Sequence, residues 1–137
     1  MNAVAWNLLA ARSRALVHHA SPLMGMLADP AMAGAGASRA PVAAQAALAA
    51  QALVAALSAA PELAAHQRTI QRFGVALAEW QRCVADDHPL TSRYQTALLQ
   101  QATQVLTSCL HMEALSTSEA ARSEITRQDI VGHSHPL

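Results

Sequence analysis

Seven histidines, two cysteines and nine carboxylates are the side chains from which this 137-residue chain could build a metal centre or a catalytic site. Their spacing is informative mainly for what it excludes. Di-iron bundles need inward-facing Glu-x-x-His pairs on two helices; here Glu62 and His66 are four apart and the pair is not repeated. Neither His-Glu-x-x-His nor Cys-x-x-Cys-His occurs. Cys109 and His111 are two apart, so on a helix they point about 200° from each other and cannot share an ion. His18, His19 and His88 are scattered, and His133 and His135 form a His-x-His pair in the tail. No metal site and no cofactor are expected.

Catalytic patterns are equally thin. There is no Gly-x-Ser-x-Gly elbow. Gly34 and Gly36 are followed by no Gly-Lys pair, so no phosphate loop is formed. Lysine is absent, which excludes Schiff-base chemistry. Asp86-Asp87-His88 is the densest polar cluster, and its place before Pro89 reads as a solvated helix stop. Cys83 and Cys109 read as reduced, buried thiols. A disulfide between them is the alternative and would need Cα atoms within about 7 Å. No enzyme is expected.

Arg68 and Arg72 lie one helical turn apart and could hold a phosphate or a partner's carboxylate. A solvated face shared with Gln67 and Gln71 is the plainer reading. His66 is the one polar member of an otherwise apolar line and reads as a partly solvated histidine near the helix start with its second nitrogen hydrogen-bonded; setting helix register is a further role open to it. A metal ligand or a pH-sensitive switch is its functional alternative.

The elements that must position these residues are helices. Of the 137 residues 33 are alanine, and β-branched and aromatic side chains are scarce, so strands are poorly supplied. The central feature is Leu63, His66, Ile70, Phe73, Leu77, Trp80 and Val84, whose steps alternate three and four. That spacing draws one apolar line down a helix from about 62 to 87, and a solitary helix of this kind is marginal unless the line is covered.

A first helix starts at residue 3 along Trp6, Leu9, Ser13, Leu16, Ala20, Leu23 and Leu27, with a break or kink expected at Ser21-Pro22. Residues 29–40 read as a flexible Gly/Ala loop. A second helix runs from Pro41, in its first turn, to about Ala60, along Val42, Ala46, Ala49, Leu53, Ala56 and Ala60. Thr91 or Ser92 should cap a fourth helix carrying a broad stripe through Tyr94, Leu98, Gln101, Val105, Ser108, Met112 and Leu115. Ser116 to Ser118 should break it. A short fifth helix would then run from Glu119 to about Gln128 with Ala121 and Ile125 inward, and a frayed tail would fill 131–137. The expected fold is all-α: one domain over 1–137, an antiparallel bundle of four main helices with a short fifth at the C-terminus.

The nine arginines and nine acids cancel, and without a basic excess no nucleic-acid partner is expected. Alanine richness without lysine is the mark of GC-rich coding and suggests a bacterial source. No basic N-terminal run or cleavage site marks a secretory signal. Residues 40–61 carry no charge and are long enough to span a bilayer, but they hold few large side chains and include Gln45, Gln51 and Ser58, which argues against a span. A cytoplasmic location is expected.

What remains is surplus apolar surface. It points to a non-enzymatic structural or interaction protein that binds itself, as a homo-oligomer, or another protein. Trp6, Leu53, Leu57, Arg68 and Arg72 are the candidate interaction residues. Binding of a lipid or other apolar surface by helices one and two is the alternative. A small-ligand or metal-binding bundle around His66, Trp80 and Cys83 is a third reading.

Overall fold

The computed structural model describes the backbone of residues 1–28 and 36–133, with side chains at 1–28 and 40–125. Among them are four α-helices packed together and no strand. They are α1 (Ala3–Ala28), α2 (Gly36–Leu57), α3 (Ala64–Ala85) and α4 (Thr91–His133), with a 3₁₀ turn at Pro61–Leu63 ahead of α3. α1 packs on α2 and α4, and α3 packs on the same two helices, so the four close a square around one core. The α1/α4 contact is the most extensive.

The apolar lines of α1 and α3 fall where their spacing places them. All seven residues of the α1 line are buried, from Trp6 to Leu27. Leu63 of the 3₁₀ turn is buried, as are Ile70, Phe73, Leu77 and Trp80 of α3, and His66 and Val84 near the two ends of α3 are half-buried. Each large side chain so covered contributes roughly 1.5–3 kcal/mol. In α2 the buried line is Ala43, Ala46, Ala50, Leu53 and Leu57, continued by Ala60; Val42, Ala49 and Ala56 are only half-buried. α4 buries Leu98, Ala102, Val105, Cys109, Met112, Ser116 and Ala120.

Several expected boundaries move. α1 continues through Pro22, and α2 begins five residues before Pro41. A proline inside a helix frees one carbonyl a turn earlier. Both prolines are exposed, so water can serve that carbonyl, and alanine and leucine on either side favour helix. Of the loop expected at 29–40, residues 36–40 thus belong to α2, and 29–35 lie outside the described residues. There is no separate fifth helix: Ser116 faces the core and α4 runs unbroken past it, so Ala120 is buried while Ala121 is exposed and Ile125 is 60 % exposed. Serine costs an α-helix only a few tenths of a kcal/mol, too little to stop it while one face is packed. Residues 131–133 of the expected tail are the last turn of α4, and 134–137 are outside the described residues.

α3 ends in a Schellman motif. The His88 N–H donates to the Cys83 carbonyl at 2.9 Å and the Asp87 N–H to the Val84 carbonyl at 3.3 Å. Asp87 takes the left-handed position, φ 50°, usually given to glycine. This assigns the acidic cluster a structural task. Thr91 does not cap α4 as expected. Its hydroxyl donates backward to the His88 carbonyl at 2.6 Å and toward the Cys83 carbonyl at 3.3 Å, tying the connection to the end of α3.

Candidate functional site

The site begins with a helix that carries no charge beyond Arg39. From Ala40 to Leu57 α2 carries no Asp, Glu, Lys or Arg, and this stretch is long and apolar enough to cross a membrane. Five of its eighteen residues, Ala43, Ala46, Ala50, Leu53 and Leu57, are buried against the bundle. The outward face is Ala44, Leu48, Gln51 and Ala55, with Leu48 59 % exposed. Alanine is chosen on both sides because it keeps the helix and lets neighbouring backbones approach.

Beside that face a groove of about 780 Å³ runs between α2 and α3. Gln51, Val54, Ala55, Ile70, Gly74 and Val75 line much of it. Gln51 and Ala55 belong to both the groove and the outward face. Val75 is 59 % exposed, and a Cβ added to Gly74 would meet nothing within 4 Å. A glycine in a helix interior costs about 0.5–1 kcal/mol relative to alanine, so the open floor of the groove is maintained against helix propensity.

A second, smaller cleft of about 380 Å³ lies between α3 and α4. Arg68 and Arg72 line it with Gln71, Glu79 and Gln101. Both guanidinium groups are on exposed residues. The Gln101 Oε1 is buried there without a hydrogen-bond partner. The two arginines therefore do share one face, as their spacing requires, and Glu79 sets an opposing charge beside them.

At the start of α3 the His66 ring lies against the His111 ring of α4, centroids 5.2 Å apart and planes tilted 34°. His66 is held below the usual histidine range, chiefly because burial penalises its charged form and secondarily by repulsion from His111. Cys109 is pushed up to about 12 by burial and by Glu113, so it stays an inert thiol at neutral pH. Cys83 and Cys109 are both free.

Of the expected interaction residues, the structure separates two kinds. Trp6, Leu53 and Leu57 are core residues of the bundle, fully spent on α1 and α2 packing, and are not surface contacts. Arg68 and Arg72 remain exposed. The proposed grouping of His66, Trp80 and Cys83 does not form: fourteen residues of helix put about 21 Å between His66 and Trp80. Among the described residues no group of three or more His, Cys, Asp or Glu side chains could hold a metal. Spacing does not single out the exposed Leu48, or the groove that Val75 lines, because an alanine run marks no face. Comparison with known protein families, curated proteins and solved structures yields no match.

Proposed function

We propose that this protein is a non-enzymatic helical interaction module that self-associates through the outward face of α2 and the α2/α3 groove. The observation that carries the reading is the charge-free stretch Ala40–Leu57, which keeps an exposed strip through Ala44, Leu48, Gln51 and Ala55 beside the groove. An exposed apolar patch beside a groove is the usual mark of a binding surface. A second copy suits it, because an isologous contact brings the same patch of both subunits together. A face without charges then meets itself without repulsion. The open floor at Gly74 lets an incoming helix sit closer.

The bundle itself is read as antiparallel. Four cross-helix contacts support this. The Gln95 amide donates to the Leu27 carbonyl at 2.9 Å, which sets the start of α4 beside the end of α1. Arg14 reaches Glu113 at 3.5 Å, much further along α4. Arg12 donates to the Ala52 carbonyl at 2.8 Å. Gln67, near the start of α3, donates to the Val54 carbonyl near the end of α2 at 3.2 Å.

Sedimentation velocity over a concentration series tests the assignment. The wild type should shift from monomer to dimer with concentration, and Leu48→Glu should remain monomeric while keeping its helical circular dichroism. A wild type that stays monomeric throughout would overturn it. The same uncharged stretch favours a second reading, attachment of α2 to a lipid surface. Flotation with neutral liposomes separates the two: only lipid attachment carries the protein upward with the vesicles.

A further inference from the structure

We propose that His66 and His111 form a two-histidine site for a divalent transition-metal ion of the zinc, copper and nickel class. The two imidazoles come from different helices, α3 and α4, and their centroids lie 5.2 Å apart with planes tilted 34°. Imidazole nitrogens about 2.0–2.1 Å from a tetrahedral ion are about 3.3 Å from each other, and with each ring centre roughly 1 Å behind its nitrogen the centres fall about 5 Å apart. The observed separation therefore needs little adjustment beyond rotation of the rings.

Three further features fit. Among the described residues neither ring makes a hydrogen bond to the protein. His66 is half-buried and its helix is held by the core, whereas His111 is exposed and free to swing. Solvent on the His111 side leaves the remaining coordination positions to water, the arrangement of an open site. Imidazole donors select this class of ion over calcium or magnesium, which take oxygen ligands. Such an ion would clamp the start of α3 to the middle of α4. The site is separate from the self-association face, and neither depends on the other.

Calorimetric titration of zinc chloride into the full chain at pH 7.5 tests the site. Four proteins are compared: wild type, His66→Gln, His111→Gln and the double variant His133→Gln/His135→Gln. Loss of a group that merely supports a metal ligand costs about 10–100-fold in affinity, so loss of either ligand here should weaken binding by at least about tenfold. The tail double variant should bind like the wild type. His111 is exposed, so His111→Gln keeps the test decisive even where His66→Gln disturbs folding, and circular dichroism without metal reports that. Wild-type binding that is absent up to about 1 mM overturns the proposal. So does binding that survives His111→Gln unchanged, or binding lost only in the tail variant.

Discussion

α2 and α3 are neighbours of equal length, twenty-two residues each, and they solve the problem of being a helix in opposite ways. α3 has two distinct faces. Ile70, Phe73, Leu77 and Trp80 are in the core, and Arg68, Gln71, Arg72 and Arg82 are in water. α2 presents alanine inward and outward alike, with Leu53 and Leu57 as its large core contributions. One helix is therefore anchored by large side chains and solubilised by charge. The other is held by backbone proximity and helix propensity, and its outer face has nothing to keep it apart from another apolar surface. That contrast places large core side chains on α3, and on α2 the face through which we propose association.

The largest test of the contrast is in the core. Phe73→Ala should cost about 3–5 kcal/mol in urea unfolding, because truncating a fully buried aromatic leaves a cavity in the core. On α2 the same core layer is sensitive in the other direction. Ala50→Leu adds volume where α2 meets the bundle and should cost about 1–3 kcal/mol. A mild effect of the first change with a severe effect of the second would invert the assignment.

Outward substitutions should divide differently. Ala44→Glu with Leu48→Lys gives α2 the polar face that α3 already has. The new i, i+4 pair should stabilise the monomer by about 0.2–0.5 kcal/mol, and self-association should disappear in sedimentation. Gly74→Ala sharpens the point. The added methyl meets open space, so helix propensity should stabilise the monomer by about 0.5–1 kcal/mol. It also raises the floor of the groove, so association should weaken as the fold strengthens. Weakened folding in Gly74→Ala would mean that the groove is closed in solution.

The unequal legibility of these two helices in the sequence has the same cause. On α3 and α1 apolar positions are flanked by Arg, Gln, Glu or His, so the three-four spacing fixes which side faces in. On α2 nearly every position is apolar, and periodicity carries no phase: Val42, Ala49 and Ala56 fit as well on paper as Ala43, Ala50 and Leu57, which are buried. Boundaries at Pro22, Pro41 and Ser116 were hidden because each residue's local preference is small beside the packing of the whole helix around it. The His66–His111 contact was within reach. His66 lies twenty-two residues before His88 and His111 twenty-three after it, so the antiparallel bundle expected from the sequence would set them side by side. Along its own helix neither histidine carries any mark of the other.

The end of α3 gives a smaller test of how firmly that helix is built. Asp87 holds a left-handed conformation that glycine adopts without a Cβ penalty. Asp87→Gly should stabilise the chain by up to about 1 kcal/mol, since a non-glycine residue pays about 1–2 kcal/mol there and aspartate somewhat less. α2 ends without such a motif, passing through turns at Ser58, Ala59 and Ala60 into the 3₁₀ turn, so glycine at Ala59 should bring no comparable gain.

The smallest effect expected is the pH response of His66, where α3 carries a titratable group on its inner line and α2 carries none. The folded value lies below the ordinary 6.5, first through burial and then through the facing His111 of α4. Between that value and 6.5 the unfolded chain binds more protons than the folded one, so stability rises with pH across the window. The contribution is complete above 6.5 and is lost as pH falls from there through the folded value. Urea midpoints measured from pH 7.5 down to 5.5 should therefore decline in the wild type and decline less in His66→Gln. Replacement of His111 by Gln should leave part of the slope, because burial acts on His66 even with its neighbour gone. An identical slope in all three would overturn this assignment and leave α3 no more sensitive to protons than α2.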